Sequence, residues 1–95
     1  MKNTYSSKLT ICNPKGLHAR SSAKFVNCAT NFNCKVEVSY LDKKADGTSL
    51  IQLMLLSPPA GETIHVFTTG LEAKQALESL TALVNNGFDE LENNT

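Results

Sequence analysis

Between Ser7 and Cys12 the chain alternates. Leu9 and Ile11 fall on one side and Lys8, Thr10 and Cys12 on the other, the period-two pattern of a strand buried on one face. Asn13-Pro14 closes that segment as a turn. From Ala19 the period changes, with Ala19, Ser22, Ala23, Val26, Ala29 and Thr30 recurring at spacings of three and four, which predicts a helix starting at or next to His18. After a break at Asn31 to Asn33, Cys34, Val36, Val38 and Tyr40 alternate with Lys35, Glu37 and Ser39 as a second strand. Asp42-Lys43-Lys44 reads as a polar turn, and the few residues before Gly47 as a short third strand. Thr48 to Leu56 is apolar nearly all round, so periodicity alone leaves strand and helix open. A capping Thr48 or Ser49, and Ile51 as the one β-branched residue from 49 to 56, favour a helix; if Leu50, Leu53 and Leu56 turn inward, Ile51 and Met54 are left toward solvent. Glu62 to Thr69 is a strand with Ile64, Val66 and Thr68 together. Ala73, Ala76, Leu77, Leu80, Leu83 and Val84 make the stripe of a last helix, which stops at Asn86-Gly87 with Phe88 placed to pack back.

The order is βαββαβα. Alternating strands with short connections predict an open-faced α/β (α+β) sandwich, an antiparallel or mixed four-stranded sheet with helices on one face. Lys8, Thr10, Lys35, Glu37, Ser39, Thr63, His65 and Phe67 would form its wet face, where His65 is a solvated or locally bonded histidine.

A chain of 95 residues fits one domain, 1–95, with a core from about 7 to 90 and short flexible termini. Nine Lys+Arg balance nine Asp+Glu, which argues against a nucleic-acid or anionic-membrane partner. No apolar run approaches the ~18 residues of a membrane span and the start lacks a secretory leader, so we expect a cytoplasmic protein with no membrane insertion. Cys12, Cys28 and Cys34 match no common zinc spacing and read as small buried hydrophobes, so no metal is expected.

The chemistry concentrates in Asn13-Pro14-Lys15-Gly16-Leu17-His18-Ala19-Arg20, a turn that delivers a histidine and an arginine to a helix start. Unpartnered N–H groups and the positive end of the helix dipole attract anions there. The same end favours a ring with one nitrogen free as nucleophile, and Arg20 brings a forked donor suited to phosphate. Gly16 can supply an unusual backbone angle and Lys15 positive charge at the rim. No second base, paired carboxylate, metal partner or Walker-type glycine loop is evident. From the residues alone, His18 as a cap and Arg20 as a solvated charge stays open.

This stretch, followed by Ala23-Lys24-Phe25-Val26, closely resembles the active-site segment of the histidine phosphocarrier proteins, the HPr family of the phosphoenolpyruvate-dependent phosphotransferase system. The likeness runs over roughly residues 7–90, and Gly47-Thr48-Ser49-Leu50-Ile51 resembles the family's approach to its short second helix. Ala82 to Glu90, with Leu53-Met54-Leu55 before it, is more similar to the nitrogen-related branch, NPr, than to the sugar-transport branch. The resemblance implies an HPr-like open-faced β-sandwich with a four-stranded antiparallel sheet, and a stoichiometric carrier without a cofactor. His18 would take a phosphoryl group on Nδ1 from the first enzyme of the system and pass it to a IIA-type protein. Arg20 would steady the phosphate, with backbone N–H groups of Ala19 and Arg20 completing the cradle. The family usually has proline where this chain has Ser21, which we expect to loosen the helix start, so that Ser21→Pro should equal or exceed the parent in transfer. Ser49 matches a position regulated by a serine kinase in some bacteria, against the simpler role of helix cap. Ile51 and Met54, with Leu17, are candidate docking residues for donor and acceptor on a monomer whose face stays free. The alternative is a regulatory binding module that has kept the fold and docks irrespective of phosphorylation.

Overall fold

The computed structural model describes residues 3–90. Of the flexible termini expected outside 7–90, residues 1–2 and 91–95 lie outside the described residues, whereas Thr4 to Ser6 already belong to a strand. The elements are β1 (Thr4–Thr10), α1 (Ala19–Ala29), β2 (Lys35–Tyr40), β3 (Lys43–Asp46), α2 (Leu50–Leu56), β4 (Thr63–Thr69) and α3 (Ala73–Asn85), followed by a short 3-10 turn at Gly87–Asp89. All pairings in the sheet are antiparallel, in the order β1-β4-β2-β3. The βαββαβα order and the open-faced sandwich are as expected.

Alternation decides which side of each strand is wet. Leu9, Val36, Val38, Ala45, Ile64 and Val66 turn to the buried side and meet Phe25, Ala29, Leu53, Leu56, Leu80 and Val84 from the three helices. The opposite side of the sheet stays open. There the rings of His65 and Phe67 lie with their centroids 4.1 Å apart.

Three local expectations are corrected. Lys43 and Lys44 are not a turn but the start of β3, paired with Tyr40 and Ser39, and the turn shrinks to Leu41-Asp42 with Leu41 at φ 56°. An edge strand that buries only Ala45 has no alternation to read, and lysines are common guards of such edges. Leu50 is exposed, while Leu53 and Leu56 are buried. A spacing of three drifts about 60° around a helix at each step, so 50, 53 and 56 cannot share one narrow buried stripe. Cys12 is exposed rather than buried and Cys28 and Cys34 are only partly covered, since Cys12 falls just beyond β1.

Candidate functional site

The segment joining β1 to α1 is held from both sides. Ile11 N–H donates to Glu62 O at 2.8 Å, and Leu17 N–H donates to Pro58 O at 3.0 Å, which lays the turn along the Pro58-Pro59 stretch. Leu17 is 2% exposed and belongs to the core cluster, so it anchors this segment and has no surface with which to dock a partner. Burial therefore removes Leu17 from the candidate docking residues.

His18 is the N-cap of α1, with extended backbone. Its Nδ1 accepts from Arg20 N–H at 3.3 Å, a side-chain cap for one of the helix's spare donors. Ser21 is fully buried, and its Oγ accepts from His18 N–H at 2.9 Å and donates to Gly16 O at 2.9 Å. These two bonds oppose the loosening expected from Ser21. The hydroxyl ties the residue before the helix to the turn behind it, a capping-box contact that proline does not offer. We expect Ser21→Ala to lower stability by about 1 kcal/mol, a fall of roughly 4–8 °C in Tm. Thermal melts check this, and an unchanged Tm would mean that the hydroxyl is redundant.

A carboxylate absent from the expectation completes the site. Glu90 Oε2 lies 2.8 Å from His18 Nε2, although 72 residues separate them. Arg20 Nε is 3.7 Å from the same oxygen, and Asn13 Nδ2 donates to Glu90 Oε1 at 2.9 Å and to Gly16 O at 2.8 Å. The signal available in sequence was Phe88 packing back after Gly87, which returns the next few residues to the helix bundle. It did not say that Glu90 would reach His18.

Ring tautomer follows from these partners. Nδ1 faces an N–H and must be the acceptor, so Nε2 carries the hydrogen and donates to Glu90. A nitrogen lone pair therefore sits at the start of a helix with no acidic residue in its first turn. Ala19 is exposed there, and Arg20 N–H, expected to be part of an anion cradle, is engaged by Nδ1 in this state. The Arg20 side chain is 61% exposed. A nucleophile, a cation and helix-start N–H groups thus converge, an arrangement suited to taking up a phosphoryl group.

Desolvation pushes the Glu90 carboxyl up, but hydrogen bonds from Asn13 and His18 and the nearby charge of Arg20 together outweigh it and hold it below the usual range. Asp46, which accepts from Thr48 N–H at 2.9 Å and Thr48 Oγ1 at 2.7 Å, is likewise held low, chiefly by those two bonds. Both are stabilising when ionised. Their contribution is fully present above the ordinary values of 4.5 and 3.8 and is lost as pH falls through the lower folded values. Tm should therefore drop steadily on acidification below about pH 4.5, and less so in a Glu90→Gln, Asp46→Asn double variant. A parent Tm that is flat through this range would contradict the assignment.

A family profile described as "PTS HPr component phosphorylation site" matches residues 5–86. The chain belongs to the HPr family. It is 43% identical over 84 residues to the phosphocarrier protein HPr of Pseudomonas putida, covering 87% of this chain and 93% of that one. With the phosphocarrier protein NPr of Shewanella violacea it shares 37% over 83 residues, covering 87% of this chain and 91% of the relative. The crystal structure of an HPr protein from Thermoanaerobacter tengcongensis superposes with a TM-score of 0.87 at 29% identity, over 90% of this chain and 97% of that one. HPr proteins are phosphocarriers of the phosphotransferase system, and this HPr-family chain has that function.

The remaining candidates of this HPr-family chain lie on α2, which packs against α1. Ser49 is its N-cap, with Oγ accepting from Gln52 N–H at 3.3 Å, the capping role weighed above. Ile51 is 71% exposed and Met54 is also exposed, and Leu50 and Leu55, not singled out from the sequence as exposed, join them in an apolar patch. Among the described residues no helix is long and apolar enough to cross a membrane.

Proposed function

We propose that His18 Nδ1 accepts a phosphoryl group from the phosphoenolpyruvate-charged first enzyme of a phosphotransferase system and hands it to a IIA-type protein. The carrying observation is the His18 ring at the N-cap of α1, its Nδ1 lone pair turned to the helix start and its Nε2 taken by Glu90. In acceptance the lone pair forms the P–N bond while the donor's bond to phosphorus breaks and its electron pair stays with the donor. Use of the lone pair frees Arg20 N–H, which with Ala19 N–H then faces the phosphate oxygens, and the Arg20 guanidinium supplies a forked contact. Attack by the acceptor's nucleophile reverses these changes, so the protein acts as a stoichiometric carrier and needs no cofactor.

Ile51 and Met54, with Leu50 and Leu55, serve as the docking patch. A carrier meets donor and acceptor with one face, and small apolar contacts around a flexible methionine suit transient binding to both. We read the protein as a cytoplasmic monomer, so that this face stays open. The Ala82 to Glu90 ending supports a role in the nitrogen-related branch. Ser49 phosphorylation would place charge at the start of α2, where a helix dipole favours it.

Incubation with phosphoenolpyruvate and the cognate first enzyme should give an acid-labile phosphoryl adduct, one per chain. Absence of label on the folded protein would overturn the carrier reading in favour of a docking module. A pull-down with phosphorylated and unphosphorylated protein then identifies the acceptor, and a sugar-transport IIA protein in it would overturn the branch assignment.

A further inference from the structure

We infer that Glu90 is a positioning residue for phosphoryl transfer: it holds the Nε2 hydrogen of His18, so that Nδ1 is the nucleophile, and balances the positive charge the ring acquires when Nδ1 bonds phosphorus. The inference rests on the carrier reading and deepens it. A carboxylate 2.8 Å from Nε2 is well placed for both tasks, and with a 13% exposed side chain it is little screened by water.

Glu90 does not reach His18 by accident of a loose end. Phe88 is fully buried although its φ is 55°, and Asp89 follows at φ 64°, two successive non-glycine residues in the left-handed region. A bulky residue stays there only when its surroundings hold it. Lys24 Nζ donates to Phe88 O at 2.7 Å from α1, and Asn13 Nδ2 grips Glu90 Oε1 at 2.9 Å from the turn before α1. The end of the described chain is thus fastened both to α1 and to the turn before it, and one Glu90 oxygen is left for His18 while Asn13 takes the other.

The charge balance gives this geometry a chemical use. When the Nδ1 lone pair becomes the P–N bond and the donor leaves with its own electrons, the Nε2 hydrogen stays in place and the ring becomes cationic. No proton enters or leaves. In the return step the P–N electrons go back to Nδ1 and the ring departs neutral, again without a proton donor. A fixed anion at Nε2 stabilises the charged ring at both crossings, as preorganised electrostatics does generally. Arg20 Nε lies 3.7 Å from the same carboxylate oxygen, so ring and guanidinium face one anion.

The test compares Glu90→Ala and Glu90→Gln with the parent in two readouts. One is the Nε2–H proton and imidazole nitrogen signals of His18 by NMR on unphosphorylated protein, and the other is the single-turnover rate of acceptance from the charged first enzyme. In the parent we expect a protected, downfield Nε2–H. In Glu90→Ala that signal should be lost to water exchange and acceptance should slow about tenfold or more, the scale typical when a carboxylate that orients a working imidazole is removed. Glu90→Gln, whose amide oxygen can still accept, should keep the protected Nε2–H yet lose rate, because the charge is gone. An unchanged rate in both variants, or a slower Glu90→Ala with parental ring signals, overturns the inference while leaving His18 labelling intact. Failure of the parent to label at all would instead overturn the carrier reading, and the ring signals of the unphosphorylated protein would still report whether Glu90 holds Nε2.

Discussion

His18→Ala should remove the entire acid-labile phosphoryl label from a protein that still folds. Its ring offers the lone pair at the start of α1, and the neighbouring Ser21 hydroxyl is fully buried between His18 N–H and Gly16 O, closed to a donor protein. The variant loses the Nδ1 cap on Arg20 N–H and the Nε2 contact to Glu90, but no core packing. A cost of about 1 kcal/mol is expected from the lost cap, well inside the ~5–15 kcal/mol of an ordinary domain. Labelling and a thermal melt on one preparation separate loss of chemistry from loss of fold. Retained label would move the acceptor, and the sequence then offers a second histidine, His65, on the open side of the sheet. His65→Ala should label like the parent.

Gly16→Ala should damage both stability and transfer, although it adds a single methyl group. Gly16 sits at φ 69°, and a Cβ there would lie 2.7 Å from Pro58 O and 2.9 Å from Pro59 Cα. Both are backbone atoms of a proline pair, so no flexible side-chain end can move aside. The left-handed conformation costs about 1–2 kcal/mol for a non-glycine residue and overpacking about 1–3 kcal/mol, so we expect a loss of roughly 2–5 kcal/mol. Relief requires the turn to move off Pro58. That move would strain the Leu17 N–H bond and shift the Gly16 carbonyl, which receives both Asn13 Nδ2 and Ser21 Oγ. A displacement of about 1 Å at a reacting nitrogen can cost on the order of a hundredfold in rate, and acceptance should fall on that scale. Gly61 is the matched control, since its φ is 89° but an added Cβ would meet nothing within 4 Å. Gly61→Ala should cost about 1–2 kcal/mol and leave transfer untouched. Urea melts and single-turnover labelling measure both, and a Gly16→Ala protein with parental rate would show that the turn need not hold its place.

Much of this architecture is visible in the chain. Leu9, Val36, Val38, Ile64 and Val66 alternate because one side of a strand is buried, and the stripe from Ala73 to Val84 follows from the helical turn. Those rules are local. Where a segment buried too little to leave a pattern, as in β3, or carried apolar side chains on its exposed face as well as its buried one, as around Leu50, local rules misplaced it. The contacts of Ser21 escape local rules for a related reason. Its type and place at a helix start were legible, but its value lies in the Gly16 carbonyl that folding brings to its hydroxyl.

The local order of polar and apolar residues determined the βαββαβα layout and set an imidazole and a guanidinium at the opening of α1, since periodicity, capping and helix polarity act over a few neighbouring residues. Tertiary structure alone decided that Leu17 is an anchor, that Cys12 faces solvent, and that Glu90 crosses from the far end of the described chain to the ring it orients. Contacts between distant residues depend on how the layers pack, and a carboxylate that far along the chain carries no mark of the histidine it will meet.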